Sequence, residues 1–168
     1  MKGQVKMKRD IIEQIYHKYH RALFLYAFSL CQNRHDAEDL VSESFVKAFL
    51  SYKEGSGNIK NWLLVVLKNQ FINEYKKKKR IVEYPIEIIE DPYDALKHYI
   101  KEDEKRWMYA QIYHLKEPER SVLLLTIQFH LKDEEIANYL HLSVSNVRLI
   151  RYRAKEKLKE LARKEGYI

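Results

Sequence analysis

The chain predicts an all-α fold: two small helical modules, residues 8–80 and 105–168, joined by an acidic linker over 81–104. Three observations carry that prediction. The 168 residues include only 4 Gly and 3 Pro, too few for a turn-rich β fold. Apolar residues recur three or four apart over long stretches, whereas strand-like alternation occurs only weakly, over 81–89. Charge divides the chain into blocks: net +8 over residues 1–80, −6 over 81–104 and +5 over 105–168, giving +7 in total. An apolar content of 46% permits packed cores, and this length holds one ordinary domain or two small ones.

The first predicted helix, 10–30, sets Ile11, Ile15, Tyr19, Leu23, Tyr26 and Leu30 on one stripe, with Ile12, Tyr16, Leu25 and Ala27 widening it. Asn33 to Asp36 is a break, and Asp36 is the expected N-cap of a second helix over 36–51. That helix places Ala37, Leu40, Val41, Phe45, Ala48 and Phe49 on one side. Asp36, Glu38, Asp39 and Glu43 crowd its first half, where carboxylates suit the helix dipole. Gly55-Ser56-Gly57-Asn58 is the clearest loop. A third helix, 60–80, is apolar at Trp62, Leu63, Val66, Leu67, Phe71 and Ile72 and ends in Lys76-Lys77-Lys78-Lys79-Arg80. Five consecutive cations exceed what dipole compensation requires and favour a polyanion contact. Trp62 reads equally as a core residue or as an aromatic wall for a base. Asn69 and Asn73 share a face, and amides there suit base edges or water equally.

After the acidic linker, with Pro85 and Pro92, helices resume over 102–115, with Trp107, Ile112 and Leu115 as core candidates. Pro118 suits a first helical position, and Val122, Leu123, Leu125 and Thr126 carry the helix it opens. From Asp133 to Leu161 comes a short helix with Ile136, Ala137 and Leu140 inward, a turn at His141-Leu142-Ser143, and a longer helix. The longer helix can bury Val147, Ile150, Ala154, Leu158 and Leu161. This is the layout of a helix-turn-helix, whose second helix enters the DNA major groove. Its other faces carry Arg148, Leu149, Tyr152, Arg153 and Lys155. Arg148 and Tyr152 are four apart, so they share a face from which both are expected to reach base edges: arginine can bond guanine bidentately and an aromatic ring can pack on a thymine methyl. Ser143, Ser145, Arg153 and Lys155 suit phosphates.

Several functions are disfavoured. Cys31 is the single cysteine, which rules out an intrachain disulfide, fits a reducing cytoplasm and reads as a small buried hydrophobe. The N-terminal MKGQVKMKRDIIEQ lacks the apolar stretch of a signal peptide, and the longest apolar run, 62–67, is far short of a bilayer span. No membrane insertion is expected. No phosphate-binding glycine loop, HExxH or nucleophile elbow is present. Glu38, Asp39 and Glu43 suit a helix terminus or a protein contact better than Mg²⁺. No catalytic site, metal or cofactor is expected.

Taken in order, the motifs resemble the extracytoplasmic-function (ECF) sigma factors of bacterial RNA polymerase. The family's Asp-Ala-Glu-Asp-Leu-Val-Gln-Glu-Thr-Phe is met by Asp36-Ala37-Glu38-Asp39-Leu40-Val41-Ser42-Glu43-Ser44-Phe45. Its Trp-Leu-x-x-Ile-Ala-x-Asn and basic tail are met by Trp62-Leu63-Leu64-Val65-Val66-Leu67-Lys68-Asn69 and Lys76–Arg80. Its C-terminal pattern is approximated by Leu115 to Arg120, Glu135-Ile136-Ala137 and Asn146-Val147 through Arg153-Ala154. Each motif alone is weak; three in order over most of the chain are strong.

The resemblance implies that Asp39, Ser42 and Glu43 face the clamp helices of core RNA polymerase. It implies that Ser56, Asn58 and Lys60 of the loop, with Trp62, Asn69 and Asn73, capture a flipped base of the promoter −10 element. Lys68 and the run from Lys76 would hold the backbone. Arg148, Leu149, Tyr152 and Arg153 would read the −35 element, and the acidic linker would lie in a positively charged RNA path. The implied partners are the polymerase, through the clamp helices and flap of its large subunits, promoter DNA, and an anti-sigma factor. Ser42 replaces the usual Gln, Lys116-Glu117-Pro118 shifts the family's Pro, Asn146 replaces Thr, and Leu149-Ile150-Arg151 replaces Ser-Arg-apolar. The last change leads to the expectation that Ile150 takes an interior position that Arg151 has lost. The rival readings are a stand-alone dimeric helix-turn-helix regulator and a helical protein–protein adaptor.

Overall fold

A computed structural model of the chain describes residues 1–53, 55, 57–80 and 90–168, with the backbone alone at 79 and 80. The weak alternation at 81–89 lies outside the described residues, as does Ser56. The described residues form helices and turns without a strand, and they divide into two compact units, Met1–Ile89 and Glu90–Ile168.

The first unit contains α1 (Lys2–Cys31), α2 (Arg34–Ser51) and α3 (Ile59–Arg80). Both α2 and α3 pack on α1. The core lies at the C-terminal end of α1, where every residue from Leu23 to Ser29 is buried. It is completed by Leu40, Val41, Phe45 and Ala48 of α2 and by Leu63, Leu64 and Leu67 of α3. The buried hydroxyl of Ser29 donates to the Tyr26 carbonyl at 2.6 Å, so its polarity is satisfied. Ser44 donates to the Leu40 carbonyl at 2.8 Å in the same way.

Helix α1 ends at Gln32 in the left-handed region, φ 53°. The cap that starts α2 is Asn33 rather than Asp36: the Asn33 side-chain oxygen accepts the Asp36 backbone N–H at 3.0 Å. Asp36 sits instead in the first turn, where its carboxylate meets Lys78 at 2.8 Å. Phe49 does not join the core; it is exposed, with the Lys8 ammonium 5.6 Å from its ring centre. Cys31 is half-buried, and burial, reinforced by the Asp36 charge, pushes its thiol pKa up to about 12. It is therefore a neutral thiol, not a reactive thiolate.

The second unit contains a single turn α4 (Pro92–Ala95) running into a 3₁₀ turn (Leu96–His98), then α5 (Asp103–His114), α6 (Glu119–Phe129), α7 (Asp133–Leu140) and α8 (Val144–Lys164). Residues Ser121 to Leu125 of α6 are all buried, and α5, α7 and α8 each contact this helix. Pro118 takes the cap position of α6, one residue before its first turn.

The stretch read as linker over 81–104 is folded from Pro92 to Ile100. Ala95, Leu96 and Ile100 are buried, and Arg106 of α5 fastens the segment. Its Nε donates to the Ile100 carbonyl at 3.0 Å, its Nη2 to the Lys101 carbonyl at 2.8 Å and its Nη1 to Asp103 at 2.8 Å. The Tyr93 ring lies 5.0 Å from the same guanidinium. Three short apolar side chains suffice here because a buried arginine satisfies the carbonyls that the turn leaves over.

Trp107 is only half-buried, under the C-terminal tail: Tyr167 stacks on it at 4.3 Å and Glu165 accepts its indole N–H at 2.5 Å. Replacing Arg106 by alanine should destabilise the second unit by about 2–3 kcal/mol, because buried carbonyls lose their donors. Denaturant unfolding followed by circular dichroism would measure that loss, and an unchanged midpoint would contradict it.

Candidate nucleic-acid interface

In the first unit, Asp39, Ser42 and Glu43 stand exposed along α2. Glu43 is oriented from beneath: it accepts the Gln70 side-chain N–H at 2.7 Å, and the Gln70 oxygen lies 3.0 Å from the Ser44 hydroxyl, sharing its one hydrogen with the Leu40 carbonyl. Gln70 is buried, so this chain of bonds joins α2 to α3 inside the unit. Sequence spacing gave no sign of it, because Gln70 is the one amide on an otherwise apolar face. The same side of α2 continues into Val46, Phe49 and Leu50, of which Val46 is 57% and Leu50 69% exposed. This apolar extension of the acidic face also went unread in the sequence.

The loop before α3 has Gly55 at φ 85° and Gly57 at φ 115°, conformations that suit glycine. The Asn58 side-chain oxygen accepts the Lys60 N–H at 3.0 Å, so Asn58 caps α3 as well as facing solvent. Trp62 is half-buried and meets the Tyr52 ring edge-on at 5.9 Å, while the Tyr52 hydroxyl donates to the Gly57 carbonyl at 3.3 Å. The tryptophan is thus neither deep core nor loose: one edge is braced and part of the ring is accessible. Val65, Asn69, Ile72, Asn73 and Lys76 follow along α3 at helical spacing, all exposed. Lys68 and Lys60 are half-buried, and burial lowers the Lys68 pKa.

The basic run is not uniform. Lys77 pairs with Glu74 at 3.1 Å, and Lys78 reaches back to Asp36. That hydrogen bond to Asp36 raises the Lys78 pKa. The side chains of Lys79 and Arg80 lie outside the described residues.

In the second unit, α7 and α8 meet through a turn that matches the expected one. His141 adopts the left-handed conformation, φ 57°, and the Leu142 N–H bonds the Ala137 carbonyl at 2.9 Å. This is a common way for a helix to end. The Ser143 hydroxyl oxygen then caps α8 by accepting the Asn146 N–H at 3.2 Å, with the Ser145 hydroxyl 3.3 Å away. Val147 and Ala154 are buried, and Ile150, Leu158 and Leu161 are half-buried, so the predicted inward stripe is the observed one.

The opposite surface presents Ser145, Arg148, Leu149 and Tyr152, with Arg153 and Lys155 beside them. Tyr152 is 65% and Leu149 44% exposed. Lys157 faces the module itself, held by both oxygens of Glu119 at 2.7 and 2.9 Å.

Arg151 has not lost its interior position. It is half-buried, its Nε donating to the Thr126 hydroxyl at 3.2 Å and its Nη2 to Asp133 at 2.5 Å. The other oxygen of Asp133 accepts Arg148 Nε at 2.9 Å. These bonds from Arg148 and then Arg151 hold the Asp133 pKa below the usual carboxylate range.

Comparison with known families decides what carries this arrangement. The sigma-70 region 2 model matches residues 15–81, and the sigma-70 region 4 model matches 105–158. The chain is 30% identical over 159 residues to the RNA polymerase sigma factor YlaC of Bacillus subtilis, covering 90% of this chain and 92% of that one. The chain belongs to the ECF group of the sigma-70 factors.

It is also 26% identical over 155 residues to the ECF sigma factor SigM of Bacillus subtilis, covering 89% of this chain and 94% of SigM. Its fold matches that of CnrH, solved in complex with the cytosolic domain of CnrY, with a TM-score of 0.60 at 21% identity over 93% and 90% of the two chains. It likewise matches the sigma factor RpoE of Bartonella quintana, solved with the anti-sigma factor NepR, with a TM-score of 0.64 at 22% identity over 90% and 96%. An ECF sigma factor binds core RNA polymerase and directs promoter-specific initiation, and that is the function of this chain.

The region 2 match spans the C-terminal half of α1, α2, the loop and α3; the region 4 match spans α5 through most of α8. Among the described residues of this sigma factor, no helix is long and apolar enough to cross a membrane, and no cluster of three or more His, Cys, Asp or Glu could hold a metal.

The lowered Asp133 pKa fixes a pH dependence. A carboxylate depressed in the folded state contributes stability at neutral pH and loses it as pH falls through the lowered value. Asp133→Asn should therefore lower the thermal midpoint at pH 7, and the gap from the parent should begin to close as pH falls below about 4, the ordinary carboxylate value, and vanish only below the lowered value. A gap independent of pH would show that the charge of Asp133 plays no part.

Proposed function

We propose that the two units grip a promoter at two points, with α3 and its preceding loop on the −10 element and α8 on the −35 element, while the α2 face seats on core RNA polymerase. One observation carries this most directly. On α8, guanidinium, aromatic and aliphatic groups (Arg148, Tyr152, Leu149) share one exposed surface, flanked by Arg153 and Lys155. That is the mixture a major groove demands: donors for base edges, an apolar face for thymine methyls, and cations for phosphate. The Ser143 cap leaves the first amides of α8 and the Ser145 hydroxyl at the phosphate end of the same helix.

On the −10 side, the half-buried Trp62 against Tyr52 supplies a braced aromatic surface, and Asn69, Asn73 and Lys76 continue it along α3. A base taken out of the stack rests on such a surface, with amides reading its edge and lysines holding the backbone. Asn58 shapes the loop by capping α3, and Ser56, Lys60 and Lys68 complete the assignment. On α2, Asp39, Ser42 and Glu43 meet the polymerase clamp helices, with the exposed Val46 and Leu50 extending the contact. Bond formation belongs to the polymerase; the sigma factor supplies no catalytic group and acts in the cytoplasm, where the polymerase is. Two solved relatives are bound to partner proteins, CnrY and the anti-sigma factor NepR, which supports an anti-sigma partner for this chain.

Reconstitution with core RNA polymerase should yield transcripts from a specific promoter set, and absence of promoter-dependent transcripts with bacterial core enzyme would sink the reading. On duplex DNA alone, binding should be weak and should fall steeply with salt. Arg148→Ala should relax preference at one −35 base pair by about 1–3 kcal/mol. Lys155→Ala should weaken binding to all sequences and lower the salt slope by about one. Footprinting with holoenzyme across a salt series separates the two effects. A stand-alone regulator would instead bind a two-fold site tightly as a dimer.

A further inference from the structure

Arg148 lies on the outer face of α8 with its side chain 66% exposed, yet its guanidinium is bonded from within the protein. The anchor is a relay of hydrogen bonds that starts on the buried helix α6. The Thr126 hydroxyl donates to the Val122 carbonyl at 2.7 Å and accepts from Arg151 Nε at 3.2 Å. Arg151 Nη2 donates to one oxygen of Asp133 at 2.5 Å, and the other oxygen of Asp133 accepts Arg148 Nε at 2.9 Å. Arg151 and Asp133 are both only 19% exposed, so neither carboxylate oxygen swings freely. Asp133 is also the first residue of α7, where a negative charge is favoured.

The consequence concerns which edge of the guanidinium is presented to DNA. An arginine can bond two acceptors in parallel through its Nε/Nη edge or through its Nη/Nη end. Here Nε is engaged by Asp133, so the Nη/Nη end is the pair presented outward. A long side chain that would otherwise sample many rotamers is held in one. The same carboxylate repels phosphates that approach the reading face, which works against binding without base readout.

We propose that Asp133 is a positioning residue that sets the edge and direction in which Arg148 meets DNA, and so sharpens discrimination at one upstream base pair. This rests on the reading of Arg148 as a base contact. Sequence discrimination, rather than affinity, is what Asp133 contributes.

The test uses holoenzyme assembled from the full chain and core RNA polymerase. It selects from a duplex pool randomised across the upstream element, and the bound fraction is sequenced. Arg148→Ala first identifies the base pair whose preference depends on Arg148. Asp133→Asn should then lower preference at that base pair by about tenfold, leave the other positions unchanged, and bind a fixed non-promoter duplex as tightly as the parent or more tightly. The double variant Asp133→Asn with Arg148→Ala should lose no more than Arg148→Ala alone.

Asp133→Ala combined with Arg151→Leu replaces the half-buried pair by apolar groups, a change that commonly keeps the fold, and it should reproduce the loss. If Arg148→Ala alters one preference while both Asp133 variants leave it intact, the positioning role is overturned and the reading of Arg148 stands. If Asp133→Asn weakens all duplexes alike, Asp133 is merely structural and the proposal fails. If Arg148→Ala leaves every preference unchanged, the base-contact reading falls and the role of Asp133 falls with it.

Discussion

Each unit is organised around one fully buried helical segment, Leu23–Ser29 of α1 in the first and Ser121–Leu125 of α6 in the second. Neither has a polar face. Each therefore needs other helices laid against it, and removal of apolar surface from water is the force that does so. The magnitudes decide the matter. Truncating one buried leucine in such a segment costs about 2–5 kcal/mol, whereas an exposed ion pair contributes about 0–1 kcal/mol. The charged pairs on these helices do not hold the fold. They arrange a surface whose support comes from below.

That division of labour resolves a difficulty of composition. A chain with net charge +7 must keep cations for a polyanion without leaving its helices ragged. Carboxylates are placed to restrain some cations and not others. Asp36 takes Lys78, Glu119 takes Lys157, and Glu117 takes Arg120 at 3.0 Å. Arg106 is withdrawn into the protein to fasten backbone carbonyls. Tyr152, Arg153 and Lys155 remain on the outer surface of α8. Counting basic residues along α8 overstates the charge on its outer surface, because Lys157 and Arg151 are bonded to carboxylates of the module.

Periodicity made most of the helices legible, including the turn at His141–Ser143 and the inward stripe of α8. It reports which residues share a face, not whether that face is covered. Phe49 and Trp107 show the limit: both have core spacing, yet the first is exposed and the second is half-buried, with Glu165 and Tyr167 of the tail against it. Between Pro92 and Ile100 the apolar signal is too short to register as structure, because its order depends on Arg106, which lies farther along the chain. Asp36 and Asn33 are both good capping residues, and only the observed bond to the Asp36 N–H chooses between them. For the candidate site, the sequence named the exposed residues of α8 and α3. The supports behind them, Gln70 beneath Glu43 and Asp133 beneath Arg148, join residues distant in sequence and leave no periodic trace.

The departure at Leu149-Ile150-Arg151 takes on a different meaning from these contacts. An arginine where the family pattern has an apolar side chain suggests a displaced helix, with Ile150 taking over an interior position. Instead Val147, Ile150 and Ala154 keep the stripe the spacing requires, and Arg151 also faces inward. A half-buried guanidinium is costly without partners; here Asp133 and Thr126 provide them. Once Asp133 is fixed by Arg151, its second oxygen lies in reach of Arg148, one turn earlier on α8. The residue that breaks the family pattern inside the module is thus physically linked to a residue proposed to read DNA outside it. If Arg148 reads a base as proposed, a change at position 151 should act on sequence preference through Asp133.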